Sequence, residues 1–164
     1  MSSILKVDTI QTTAGAAPTT KDLGFAGGSV IQTVQFTANE QNIGGGSGTT
    51  IINSTFNPKV SGSKFAVWLF IPNCTASSGG SVTAKVNLGT NSSPNSNTEV
   101  ISVFERMEGT GADDVRGING HDFGSFTCAG TGTHYASVVL TPDNNTVVAR
   151  HSQVAKLFIQ EISQ

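Results

Sequence analysis

Residues 64–72 read KFAVWLFIP. Nine residues bounded by Gly62-Ser63 on one side and closed by a proline are the length of a strand, and the content is aromatic and β-branched. In an extended chain successive side chains point to opposite faces. Phe65, Val67, Leu69 and Ile71 then share one face, and Ala66, Trp68 and Phe70 share the other. Both faces are apolar, whereas an ordinary antiparallel sandwich strand keeps one face wet. A second segment has the same character. In QVAKLFIQEI (153–162), Leu157 and Ile159 point one way while Phe158 and Ile162 point the other. Burying a large apolar side chain is worth about 1.5–3 kcal/mol, so such strands call for a second covering layer. That layer is either a long loop or a neighbouring subunit. The subunit is the favoured reading, with Trp68, Phe70, Phe158 and Ile162 as its interface residues.

Working outward, strand-like runs recur at 29–37, 49–56, 81–89, 98–106, 123–129, 134–141 and 145–150. They are rich in Val, Ile, Phe and Thr and are separated by Gly, Asn, Ser and Pro. No window sustains an i, i+3, i+4 apolar pattern with helix caps. The expected fold is all-β: an antiparallel β-sandwich, jelly-roll-like, of about eight or nine strands. Breaks are expected at 39–48, 73–80, 89–97 and 106–122. The last is the longest and the most charged. It is read as an exposed tip loop carrying Asp113, Asp114, Arg116, His121 and Asp122.

The sandwich is expected to occupy residues 25–164, preceded by an arm and spacer over 1–24. The arm begins SSILKVDTIQTTAG, a strand-like stretch with no partner close in sequence. Leu5 and Val7 fall on one side, and Ile4, Lys6, Asp8 and Ile10 on the other. Such a segment gains ladder hydrogen bonds by adding to the sheet edge of another protein. The alternative is that it folds back on its own domain.

The 164 residues suit one domain plus an extension. Charged residues make up 12% of the chain, there are 19 glycines, and the net charge is −2. The nine basic residues are scattered, which discounts nucleic acid as a partner. No secretory signal and no run of the ~20 apolar residues of a spanning helix is legible, so synthesis in a cytosol without membrane insertion is expected. Cys74 and Cys128 then read as two buried thiols rather than a disulfide.

The motifs of catalysis are missing. G-x-S-x-G and G-x-x-x-x-G-K-[ST] do not occur. His121, His134 and His151 lack metal-ligand spacing, and GTGADD lacks the spaced carboxylates of a calcium loop. Paired glycosidase carboxylates would have to come from Glu99, Glu105, Glu108 or Glu161, of which Glu105 and Glu161 read as solvent-facing strand residues. The expectation is a protein that is not an enzyme, with no catalytic residue, metal or cofactor.

The segment SSILKVDTIQ (2–11) resembles the N-terminal "S-x-L-K-V-D-x-I-Q" start of virion appendage and tail-fibre-like proteins of tailed bacteriophages, marine and cyanobacterial ones especially. GSVIQTVQF (28–36) is similar to the first strand of that family. FNPKVSGSKFAVWLFIPN (56–73) resembles its "P-x-x-x-x-S-K-x-x-V" hairpin, and SVFERMEGTG (102–111) one of its strand ends. HYASVVLTPDNNTVVAR (134–150) and AKLFIQEIS (155–163) resemble its closing strands, which end in "E-I". The resemblance implies a homotrimeric structural protein of the virion, assembled in the host bacterial cytoplasm. It further implies a short tail or neck fibre whose arm docks on another virion protein. Its solvent-facing loops would then meet a host-surface glycan or protein. The alternatives are a capsid decoration protein and a carbohydrate-binding jelly-roll module.

Overall fold

The structure, a computed structural model, describes residues 29–43, 48–76, 80–107, 115–142, 148–150 and 154–163. The arm and spacer, with Ile4, Leu5, Lys6, Val7, Asp8 and Ile10, and the loop carboxylates Asp113 and Asp114 lie outside the described residues.

The strands are β1 (Val30–Ala38), β2 (Asn42–Ile43), β3 (Thr49–Phe56), β4 (Lys64–Ala76), β5 (Gly80–Gly89), β6 (Thr98–Met107), β7 (Val115–Thr127), β8 (His134–Pro142), β9 (Val148–Arg150) and β10 (Ala155–Ile162). Among the described residues the only helical element is a single 3-10 turn at Pro94–Ser96. One sheet runs β1-β10-β4, with β7 on the other edge of β4; β9 and β2 extend it beside the far end of β4. The second sheet runs β3-β8-β5-β6. Every pairing is antiparallel. The chain passes from sheet to sheet between β2 and β3, β3 and β4, β4 and β5, β6 and β7, β7 and β8, and β8 and β9. The fold is therefore an antiparallel β-sandwich with jelly-roll-like wrapping.

The core lies between the sheets and follows the period of two read from the sequence. Phe65, Val67, Leu69 and Ile71 of β4 are buried with Leu157 and Ile159 of β10. Val82, Ala84, Val86 and Leu88 of β5 meet them from the other sheet with Ala136, Val138 and Leu140 of β8. Cys74 and Cys128 are buried and are not joined in a disulfide, as expected.

The segment expected as one long loop, 106–122, is instead largely strand. β6 continues to Met107, and β7 begins at Val115. Arg116, His121 and Asp122 consequently stand on β7, paired in register with Cys74, Trp68 and Val67. Little in VRGINGHDFG announces a strand: three glycines interrupt three widely spaced apolar residues. The order comes from β4, whose free edge offers β7 a hydrogen-bonding partner over most of its length. β4 itself runs past Pro72, where the sequence places its end. A bulge between Ile71 and Cys74 takes up the proline, which has no N–H to donate to the ladder.

A second bulge sets β7 at the other end. Between Phe123 and Thr127 it carries two more residues than the facing stretch of β4. Gly124 has φ +79°, a conformation open to glycine at little cost. Asp122 braces the bulge: its carboxylate accepts the Ser125 backbone N–H at 3.1 Å and the Ser125 hydroxyl. Asp122 is thus a local backbone cap, not a free loop charge. A Cβ at Gly124 would add a contact with Lys64 Cδ at 3.2 Å to the cost of positive φ. Gly124→Ala is expected to lower unfolding stability by about 1–3 kcal/mol, measured by urea denaturation.

Glu161 corrects a second expectation. It is 0% exposed, not solvent-facing. It shares the inward side of β10 with Leu157 and Ile159, where the sandwich closes over its end. Its carboxylate accepts the backbone N–H groups of Lys59 (2.8 Å) and Val60 (2.8 Å), the Ser63 hydroxyl (2.7 Å) and Gln32 Nε2 (2.7 Å). Ser63 Oγ also lies 2.7 Å from the Val60 carbonyl, but a hydroxyl has one proton to give. The charged acceptor is the stronger one, so Ser63 donates to Glu161, while the Cys128 thiol donates to the Val60 carbonyl at 3.1 Å. The connection 57–63, which carries the chain from one sheet to the other, is thereby tied to the end of β10. Glu161 serves as its fold anchor and is withdrawn from any catalytic pair.

Candidate interaction face

Strands β10 and β4, the two that are apolar on both sides, are neighbours in one sheet. Their register sets Phe158 opposite Trp68, Lys156 opposite Phe70 and Gln160 opposite Ala66. On the other edge of β4, His121 faces Trp68, Asn119 faces Phe70 and Phe123 faces Ala66. On β1, Thr33, Gln35 and Thr37 stand opposite Gln160, Phe158 and Lys156. The outer face of this sheet is therefore a grid with Trp68 near its centre.

The rings are in contact across the strands. Trp68 and Phe123 meet edge to face, with centroids 5.3 Å apart at 87°. Phe123 and His121 are 5.7 Å apart at 59°. Phe123 is 63% exposed and Phe70 42%, while Trp68 and Phe158 are half-buried. Ala66, beneath them, is buried. Trp68, Phe70 and Phe158 line an open depression of about 560 Å³, rimmed by Thr33, Asn119, His121 and Gln160. Gln160 Nε2 donates to Thr33 Oγ1 at 3.3 Å on that rim.

All four residues named from the sequence as interface candidates lie on this face or its continuation. Ile162 is half-buried at the end of β10, opposite the exposed Val30. Two members were missed there. Phe123 is placed on the face by the bulge at Gly124, and His121, assigned to a tip loop, belongs to it through β7. The one available signal was the continuation GHDFG leading into the strand read at 123. Nothing local showed that this strand would lie beside β4.

The opposite outer face differs in kind. Lys85 and Glu99 form an ion pair at 2.7 Å there, both about two-fifths exposed. Thr83, Tyr135 and Thr141 of the same sheet are half-buried. An exposed pair of this type adds little stability. Among the described residues that opposite face exposes one large apolar side chain, Phe104, opposite Thr83, whereas the β1-β10-β4-β7 face gathers Trp68, Phe70, Phe123 and Phe158 together. Contiguous apolar surface rimmed by polar groups marks an interaction site. No group of three or more histidine, cysteine, aspartate or glutamate side chains arranged to hold a metal occurs among the described residues.

No protein-family model matches the chain, and neither does any curated protein. Solved structures do match by backbone geometry. One is an Eiger TNF from S. frugiperda, at 4% identity over 83% of this chain and 95% of that one, with a TM-score of 0.49. Another is from the Gx strain of infectious bursal disease virus, at 11% identity and a TM-score of 0.39. There the match takes in 83% of this chain and 38% of the viral one. A third is the C-terminal domain of EclA, a sugar-binding protein, at 14% identity over 91% of this chain and 89% of that one, with a TM-score of 0.30.

Proposed function

We propose that this chain is a non-enzymatic structural protein of a tailed-phage virion, a short homotrimeric tail or neck appendage. It associates with copies of itself through the outer face of β1-β10-β4-β7 and docks on the particle through residues 1–24. One observation carries the self-association: the two doubly apolar strands are adjacent, so Trp68, Phe70, Phe123 and Phe158 make one continuous face. A second copy is the occupant that fits its charge. Near the axis of a homotrimer the three copies of a residue come closest to one another, so a face centred on that axis must be close to neutral there. Lys156 is the one formally charged residue among the twelve of the grid. Gln35, Gln160 and Asn119 offer both donors and acceptors to their own copies. The number three and the virion rest on the resemblance of the arm and closing strands.

Sedimentation equilibrium of the purified chain tests the assembly, with a mass three times that of the polypeptide expected. A stable monomer would remove the basis of the proposal. Removing residues 2–12 is expected to leave that trimer folded but unable to join the particle, read by its absence from purified virions. A monomer after the deletion would assign the arm to subunit contact instead.

A further inference from the structure

A second depression, of about 350 Å³, opens at the end of the sandwich where the β5–β6 turn meets the β7–β8 connection. We infer that it is a binding site for one unit of a neutral sugar, with His134 Nε2 as the buried hydrogen-bond acceptor. This site is separate from the aromatic face, and the inference does not depend on trimer formation.

His134 lines the depression and is only 2% exposed. Its ring lies 5.7 Å from that of Phe56 and 5.9 Å from that of Phe126. Nδ1 is 2.9 Å from the Gly132 carbonyl, which can only accept, so the proton is on Nδ1. In the neutral ring Nε2 is then a bare acceptor. Among the described residues nothing donates to it. A buried polar atom without a partner calls for a ligand or an ordered water.

The rim is preformed. Asn97 Oδ1 accepts the Asn91 backbone N–H at 3.0 Å, and its Nδ2 donates to the Asn91 carbonyl at 2.7 Å. Asn53 Nδ2, from β3, holds the Ser92 carbonyl at 3.1 Å. Gly89 makes room for this arrangement, since a Cβ there would lie 2.2 Å from Asn97 Oδ1. Thr90, Ser96, Thr98 and Thr127 line the same space together with Phe126. Apart from His134, no acidic or basic side chain lines it. Hydroxyl donors and acceptors beside one aromatic ring, without charge, match the hydroxyls and apolar C–H face of a neutral sugar. The volume is near the lower end for small-molecule sites, roughly 300–1,000 Å³, which suits one sugar unit.

The test is titration of the ¹⁵N-labelled full chain with glucose, galactose, mannose and N-acetylglucosamine, each followed by NMR into the tens of millimolar. Saturable shifts confined to residues 89–98 and 126–134, with movement of the His134 Nε2 resonance, are expected for at least one sugar. His134→Phe keeps an aromatic ring in place and is expected to weaken that binding about tenfold or more. Thr127→Val, at an exposed strand end, is the second variant if His134→Phe does not fold, and is expected to weaken binding several-fold. The inference is overturned if none of the four sugars shifts these signals, if the shifts map to the Trp68 face, or if the folded variants bind as the unaltered chain does.

Discussion

Trp68→Lys is expected to convert the proposed trimer into a folded monomer. Trp68 sits near the centre of the grid, flanked by Phe158 and His121 and touching Phe123. In a single subunit it is only half-buried, so a lysine there can carry its ammonium to water along a flexible stem. Within the assembly that route is closed, and copies of the same unpaired charge approach one another in a desolvated centre. Loss of a central aromatic anchor alone costs 2 kcal/mol or more at an interface, in the range of about 2–4. Burying an unpaired charge adds several more, and the sum corresponds to association weaker by about a thousandfold or more. Sedimentation velocity reads the change in mass, and circular dichroism shows that the β fold persists. Trp68→Ala makes a graded comparison. Full burial would put its cost at about 3–5 kcal/mol, and a half-buried ring pays that only where the neighbouring subunit completes the burial. Its effect on stability should therefore depend on protein concentration. If Trp68→Lys leaves the mass unchanged, this face is not the subunit contact.

Glu161→Ala is expected to cost about 3–5 kcal/mol of folding stability, the largest effect of any single substitution considered for the isolated subunit. The alanine strands the N–H groups of Lys59 and Val60 beside a buried position and leaves the Ser63 hydroxyl only the Val60 carbonyl. Each buried donor without a partner costs about 1–3 kcal/mol. Glu161→Gln keeps the shape but loses the charge, and it sets an NH₂ group among donors. Its expected cost is about 1–3 kcal/mol. Urea denaturation in the Trp68→Lys background keeps unfolding unimolecular, so the midpoint reads the subunit alone. A loss under about 1 kcal/mol for Glu161→Ala would show that the 57–63 connection holds without it.

Two segments singled out for their resemblance to phage appendage proteins meet at this point. Ser63 belongs to the "P-x-x-x-x-S-K" stretch and Glu161 to the closing "E-I", and the first donates to the second at 2.7 Å. Read as separate strings they are far apart in sequence and physically unremarkable. Glu161 was legible in one respect. Its parity with Leu157 and Ile159 put it on the inward side of the strand, and only the expectation that carboxylates seek water argued otherwise. The donors that make its burial tolerable come from residue 32 and residues 59–63, which no local pattern connects to it.

Phe123 and His121 show the other kind of gap. Their segment has weak strand character by itself, and its conformation depends on the free edge of β4 and on the bulge at Gly124. Short-range propensity is a weak guide wherever pairing supplies the order.

The alternation of side chains along KFAVWLFIP and QVAKLFIQEI is a local property of an extended chain. The sequence therefore determined by itself that the protein is all-β, that its core strands carry apolar residues on two sides, and which residues share each side. Backbone geometry imposes that period of two whatever the rest of the chain does. Which strands lie side by side is a non-local matter of hydrogen-bond register and closure of the core. Only the tertiary structure could decide that Phe158 stands beside Trp68, that β7 brings His121 and Phe123 to them, and that Glu161 is enclosed by the turn it anchors.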